Sequence, residues 1–241
     1  MKPPIYKPSG AALEYGDLAL NIYTGCNHGC YYCFAPNVLH KTRVDFAIVE
    51  PRIDIVNEVR KQLEKEQITG KLIHLCFTCD PYPADIDTTP TREIIKLLKE
   101  HGNHVQILTK GGRRAERDFD LLDKYDMFGV TYCGYGPTEF VKNPHEPNAG
   151  MPMVRLLTIE KAREERIGTW ISFEPVLNAK DVLYVLENDV ALNTAVKIGK
   201  LNYHPSSINW HDFGRKAEAI CKRRGLTYYI KDGLRAEMDK A

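Results

Sequence analysis

No stretch of this 241-residue chain approaches the roughly 20 consecutive apolar residues that a membrane-spanning helix needs. The opening Met-Lys-Pro-Pro-Ile-Tyr-Lys-Pro also lacks the apolar core of a secretory signal peptide, so a soluble, cytoplasmic protein without membrane contact is expected. An excess of charge of one sign is missing too. Against 33 Lys and Arg stand 32 Asp and Glu, and a net charge of +1 exerts no global pull toward nucleic acid, so any such contact has to be local. There is no internal repeat, low-complexity segment or persuasive linker, and a single domain over 1–241 is expected, with 1–17 as an N-terminal extension and 200–241 as a helix and strand packed on the rest. Disulfide staples are not needed in a chain of this size, yet it carries seven cysteines, an odd number. Three of them crowd between positions 26 and 33, which points to metal binding.

Apolar periodicity alternates between strand and helix along the chain. Strands are expected at 18–23, 71–77, 104–109, 128–133, 169–173, 195–198 and 227–230. Between them, helices are expected at 51–66, 91–101, 116–125, 154–166, 179–187 and 208–224. Such alternation implies parallel strands joined by right-handed crossovers. The fold class is therefore α/β, and about six βα units in this length imply an open, partial barrel of the TIM type rather than a closed one of eight. Chemistry in such sheets sits at the carboxyl ends of the strands, where Cys26, Asp80, Lys110 and Glu174 would converge. The Pro, Gly and Asn content of 134–150 marks it as a lid.

The motif Gly25-Cys26-Asn27-His28-Gly29-Cys30-Tyr31-Tyr32-Cys33-Phe34 has the spacing C-x3-C-x2-C. Three thiolates leave one iron of a four-iron cubane without a protein ligand, whereas electron-transfer clusters usually use four cysteines. The competing reading is a zinc site, with His28 or His40 as fourth ligand, in a non-catalytic zinc or iron-sulfur module that binds nucleic acid. Cys76, Cys79, Cys133 and Cys221 are too scattered to suggest a second cluster.

At the three-cysteine motif the chain resembles the radical S-adenosylmethionine superfamily. The resemblance implies that Cys26, Cys30 and Cys33 hold a 4Fe-4S cluster whose open iron binds S-adenosylmethionine and cleaves it reductively to a 5'-deoxyadenosyl radical. The first half is most similar to the spore photoproduct lyase-like branch, at 25–34, at Thr78-Cys79-Asp80-Pro81-Tyr82, at Thr91-Arg92 and at Leu108-Thr109-Lys110. That likeness implies that Cys79, Asp80 and Lys110 contact the methionyl part of S-adenosylmethionine, with Thr131 or Cys133 added from the fourth strand. A lysine can offer three donors to its carboxylate, and Asp80 can accept from its amino group. In the same branch, tyrosines flank the third cluster cysteine and a second-strand cysteine donates hydrogen. Here Tyr32 matches one tyrosine, Phe34 replaces the other, Phe77 falls at the donor position, and Cys79 is the displaced donor candidate. Cys76 and Cys79, three apart on an extended strand, are expected to point to opposite faces.

In the second half, Glu174 ends a strand just before Pro175 and is a candidate for the ribose hydroxyls or a polar substrate. The latter half, including Tyr228-Tyr229-Ile230-Lys231-Asp232, is similar to phage-encoded radical S-adenosylmethionine proteins. Lys110-Arg113-Arg114 and Lys222-Arg223-Arg224 are candidate phosphate contacts for a nucleotide or nucleic-acid base as substrate. A reducing partner such as flavodoxin or ferredoxin is implied by the resemblance.

Overall fold

The computed structural model describes residues 3–135 and 143–240. Eight strands form one sheet in sequence order: β1 (Ile5–Tyr6), β2 (Leu18–Leu20), β3 (Leu72–Leu75), β4 (His104–Thr109), β5 (Met127–Thr131), β6 (Gly168–Phe173), β7 (Thr194–Ile198) and β8 (Tyr228–Ile230). β1 pairs antiparallel with β2, and every later pairing is parallel. The seven parallel strands need six crossovers, and the barrel stays open between its first and last strands, as the alternation implied. β1 belongs to the stretch read as an N-terminal extension, and its two residues gave the sequence reading no period to count.

After β2 come two single-turn helices, α1 (Ala35–Val38) and α2 (Arg43–Phe46), too short to register as a periodic pattern, and then α3 (Ile55–Glu66). The last begins four residues later than expected because Pro51 is drawn into a bridge with Tyr23 and Asp54 turns left-handed, φ 52°. α4 (Thr89–Glu100) buries Ile94, Ile95, Leu97 and Leu98 against the sheet, each contributing roughly 1.5–3 kcal/mol. The helix expected at 116–125 is instead a 3-10 segment over Gly112–Leu121, in which Asp118 turns inward to accept from Tyr82 Oη at 3.0 Å and Arg92 at 3.0 Å. The remaining helices are α5 (Pro152–Glu164), α6 (Ala179–Asn188), α7 (Trp210–Arg224) and α8 (Asp232–Met238). Asn178 and Asn209 cap α6 and α7, accepting from Lys180 N and Asp212 N at 3.0 Å each. Gly225, at φ 68°, ends α7.

Strand alternation sorts the sheet into two chemically different faces. The outer face carries Ile73, Leu75, Val105, Ile107, Phe128, Val130, Ile171, Phe173, Val196 and Ile198, all in the main apolar core under the helices. The inner face carries His74, Gln106, Gly129, Thr131, Trp170, Ser172 and Lys197, and the same parity continues past the strand ends to Lys110, Cys133, Glu174 and Lys231. The lumen is thus polar, unlike the layered apolar interior of a closed barrel. Tyr15 fills its lower part: its ring lies against His74, Phe77 and Trp170, with Lys197 Nζ and Lys231 Nζ each 4.6 Å from its centroid.

Gly129 faces that lumen because a Cβ there would lie 2.2–2.6 Å from the indole of Trp170, whose Nε1 donates to the Ile107 carbonyl at 3.0 Å. Gly129→Ala is expected to destabilise the chain by about 1–3 kcal/mol through overpacking, read as a lower urea midpoint at unchanged slope.

Candidate active site

The cysteine loop follows β2 and is pinned by its own backbone. Cys26 N donates to the Phe46 carbonyl at 2.9 Å, and Cys33 N to that of Cys30 at 3.1 Å. Gly25 is required here, since a Cβ would meet the carbonyl oxygens of Phe46 and Ile48 at 2.2 and 2.5 Å. Arg43, on α2, reaches back to the carbonyls of Cys30 and Tyr31 at 3.0 and 2.5 Å. The residues just before α5 close the loop from the other side: Tyr31 N donates to His145 O, Asn148 N to His28 O at 3.1 Å, and Asn148 Nδ2 to Asn27 O at 2.9 Å. Burial pushes the three thiols up, Cys26 well above its ordinary value, Cys30 to about 12 and Cys33 less far. Such sulfurs become thiolates when a cationic centre compensates them.

Two buried carboxylates flank the loop. Asp80, after β3, accepts from Thr109 Oγ1 at 2.6 Å, Tyr82 N at 2.8 Å and Lys110 N at 2.8 Å, and its second oxygen lies 3.5 Å from His28 Nδ1. His28 Nε2 accepts from Arg114 at 2.9 Å, and burial holds the imidazole neutral, its pKa down at about 4. On the other side Glu146 accepts from Tyr32 Oη, from Cys133 Sγ at 3.3 Å, from Asn143 Nδ2 at 3.1 Å and from Arg155 at 2.6 Å. Burial would raise the Glu146 carboxyl, but the Arg155 guanidinium and the Lys110 ammonium hold it down at about 2. Arg155, equally buried, also donates to Gly150 O at 2.7 Å and Thr131 O at 2.9 Å.

Lys110 sits between these groups. Its ammonium lies 5.6 Å from the centre of the Tyr32 ring, and among the described residues it makes no hydrogen bond or ion pair. Burial works against its charge, yet the Cys30 thiol, Glu146 and Cys133 hold it above the ordinary lysine value.

The sequence candidates thus separate into groups. Cys26, Cys30, Cys33, Tyr32, Lys110, Thr131 and Cys133 gather around the loop, while Asp80 supports it with both carboxylate oxygens engaged by the chain. Glu174 faces the lumen but is paired with Lys231 and accepts from Tyr15 Oη at 3.0 Å and Asn202 at 3.4 Å. Cys79 packs against the apolar core, and Phe77 takes the place beside the lumen, stacked on His74 at 4.2 Å. The extended strand behind the expectation that Cys76 and Cys79 point to opposite faces does not reach them: β3 ends at Leu75, Cys76 turns left-handed at φ 72°, and both residues lie against the main apolar core. The basic clusters are largely absorbed internally, with Arg114 on His28, Arg223 on Glu187 and Arg224 on the Leu186 carbonyl. Of the expected lid at 134–150, residues 136–142 lie outside the described residues. Glu146, Arg155 and Arg43 were missed by the sequence reading. The Asn143-x-x-Glu146 spacing is unremarkable in a polar loop, and only folding shows that Glu146 meets Arg155.

An open parallel barrel with a three-thiol loop at the carboxyl ends of its strands defines a class of enzymes that keep a metal cluster at the barrel mouth. Residues 20–178 match the family model of the Radical SAM superfamily, and the chain belongs to that superfamily as an enzyme of the radical SAM type. It is 27% identical over 215 residues to the uncharacterized protein ORF301 of Acidianus two-tailed virus, covering 80% of this chain and 69% of the viral one. Its fold is similar to that of spore photoproduct lyase complexed with dinucleoside spore photoproduct, with a TM-score of 0.70 at 11% identity over 93% of this chain and 78% of that one. It is also similar to Streptococcus suis SuiB, with a TM-score of 0.61 at 13% identity over 92% of this chain and 51% of that one. Membership implies an iron-sulfur cluster and S-adenosylmethionine as cofactors. No described helix is long and apolar enough to cross a membrane.

Glu146→Ala is expected to strand the Arg155 charge and cost about 3–5 kcal/mol, whereas Glu146→Leu combined with Arg155→Leu costs much less, as read by urea denaturation of both variants. The same pair sets an acid limit. With its folded pKa depressed to about 2 from the ordinary 4.5, Glu146 contributes stability that is full above about pH 4.5 and is lost as pH falls toward 2. An acid-unfolding curve that flattens in the double variant is the expected record.

Proposed function

We propose that Cys26, Cys30 and Cys33 hold one 4Fe-4S cluster, that Lys110 receives the carboxylate of S-adenosylmethionine, and that the substrate is a nucleotide or nucleic-acid base. The observation that carries this reading is the Lys110 ammonium beside the cysteine loop, over the Tyr32 ring and without a hydrogen bond or ion pair among the described residues. The donor set fits the cluster: three soft thiols come from one loop with glycine at its tightest point. It fits zinc poorly, because His28 is already engaged by Asp80 and Arg114, and because the three sulfurs are not drawn together as ligands of one ion are.

When bound, the cluster and S-adenosylmethionine supply the one-electron cleavage that yields a hydrogen-abstracting 5'-deoxyadenosyl group. The chain's own part is orientation. Asp80 fixes the Lys110 backbone through the Lys110 N–H, so the ammonium is presented from a rigid strand end. Tyr32, held by Glu146 and close to Cys133, packs its ring beneath that ammonium and keeps water from it. In the lumen Tyr15, Glu174 and Lys231 pair with one another, and Ser172 Oγ, buried without a hydrogen-bond partner among the described residues, is left to meet a polar group of the substrate. The nucleotide assignment is supported by the lyase of similar fold in complex with a dinucleoside. A flavodoxin or ferredoxin is the proposed electron source.

The test is anaerobic reconstitution with iron and sulfide, reduction by dithionite in the presence of S-adenosylmethionine, and chromatography for 5'-deoxyadenosine. Wild type is expected to form it and Cys30→Ala not; Lys110→Met is expected to load its cluster yet bind S-adenosylmethionine at least about tenfold more weakly, the loss of one charge-assisted contact. A loaded, reducible cluster that neither binds nor cleaves S-adenosylmethionine would overturn the assignment. Dinucleotides and short DNA are expected to raise 5'-deoxyadenosine yield, and failure of all of them would exclude the substrate class.

A further inference from the structure

A row of rings lines the rim of the cysteine loop, and none of them has a part in the chemistry proposed so far. Tyr31, between two of the cysteines, stands edge-on to His204 with ring centres 5.2 Å apart and lies tilted against His145 at 5.0 Å. Tyr135 is edge-on to His145 at 5.1 Å, and its hydroxyl and His145 Nε2 share a hydrogen bond of 2.8 Å. The rings come from three separate segments: the loop after β2, the stretch between β5 and α5, and the connection between β7 and α7. The last is seated here by Leu201, which packs with Tyr32, Cys133 and Cys30 in a small apolar cluster. Leu201 on one side and His204 on the other thus place Tyr203 at the barrel mouth.

Tyr203 is the ring that the fold does not need. It is 89% exposed and stands at φ 63°, a left-handed conformation that glycine adopts freely and tyrosine only at a cost. Its apolar faces are bare to water, whereas Tyr31 is 38% exposed and Tyr135, His145 and His204 are half-buried. Beside Tyr31, the exposed Arg43 gives both terminal nitrogens to carbonyls of the cysteine loop and keeps its Nε–H without a partner among the described residues. A bare aromatic face, hydrogen-bonding ring edges and a guanidinium together match a planar base and its phosphate.

We propose that Tyr203, with Tyr31 and His204 at its side, is a stacking platform for an unpaired nucleobase, and that the substrate is a single-stranded nucleic acid more than one nucleotide long. This inference rests on the nucleotide reading of the site. A paired base has both faces covered by its neighbours in the duplex, whereas an unpaired one can lay a face on a tyrosine. A base on Tyr203 lies in solvent at the rim, so it is not the group that meets Ser172 in the lumen. It is a flanking base, and it holds the strand while the neighbouring nucleotide goes inward, with Arg43 as the phosphate contact.

The experiment uses the reconstituted protein with S-adenosylmethionine, kept anaerobic, and a fluorescein-labelled single strand of about 12 nucleotides, with binding read by anisotropy over a range of salt. Wild type is expected to bind the strand more tightly than the duplex of the same sequence. Tyr203→Ala should bind it roughly tenfold more weakly at an unchanged salt slope, because a stacked base is lost and no phosphate contact is. Tyr203→Trp should bind at least as well as wild type. Tyr203→Gly, which relaxes the backbone, should be no less stable to urea yet bind as weakly as the alanine variant, and this separates stacking from folding. A strand of abasic residues should bind wild type and Tyr203→Ala alike. Equal affinity of wild type and Tyr203→Ala for the single strand refutes the platform, as does a wild type that binds no strand. If dinucleotides still raise the 5'-deoxyadenosine yield of wild type in either case, the nucleotide reading stands without the platform; if they do not, both fall.

Discussion

Glu146 is a carboxylate shut away from water whose donors come from separate parts of the chain: Tyr32 in the cysteine loop, Cys133 past the end of β5, Asn143 in its own segment and Arg155 on α5. A charge so placed is tolerable only if every lone pair is used and a full counter-charge is adjacent, and Arg155 meets that condition while also binding the carbonyls of Thr131 and Gly150. The consequence is geometric. Tyr32 cannot move without unpairing a buried acceptor, and Cys30 and Cys33 lie to either side of it in sequence. Asp80 does the same from the opposite flank through His28. The loop is gripped between two carboxylates, so its three sulfurs are positioned by the protein before any metal binds.

The same two carboxylates set the electrostatics of Lys110. Asp80 binds its backbone, Glu146 favours its charge from a distance, and neither neutralises it at contact. An ammonium held in this way keeps its capacity for a strong charge-assisted bond to an incoming carboxylate. Lys231, by contrast, is spent on Glu14 and Glu174 and serves to join the end of β8 to the end of β6 across the lumen.

Much of this fold was legible in sequence because the outer-face residues of the parallel strands are mostly apolar, with Thr109, Thr169 and Thr194 as buried polar exceptions, and most of the helices that cover them are amphipathic. β4 was legible to the residue: His104 to Thr109. The elements missed, β1, α1, α2 and α8, are too short for a period to accumulate. At the site, the cysteine spacing and a lysine at a strand's end were legible as local features that the sequence displays directly. Glu146 and Arg155 were not, since their meaning is a pairing across a loop and a helix that no local pattern encodes. Glu174 was read as a candidate for the ribose hydroxyls or a polar substrate, and its pairing with Tyr15 and Lys231 was not legible because both lie far from it in sequence.

An open barrel with a polar lumen poses a stability problem that a closed one does not, since the interior contributes hydrophilic groups in place of packed layers. The chain answers it by placing its apolar core on the outer face of the sheet, where α3 to α7 cover it, and by pairing polar groups in the lumen, such as Tyr15 Oη with Glu174 at 3.0 Å. Fold stability and site chemistry are thereby assigned to opposite faces of the same strands. Alternation along β5 gives Phe128 and Val130 to the core and Gly129 and Thr131 to the lumen. A lumen substitution therefore leaves the apolar core untouched, except where a glycine makes room for a neighbour, as at Gly129 beneath Trp170 and Gly199 beside Glu174. There the two faces cease to be independent, because the space the glycine leaves is already filled by a side chain of the lumen.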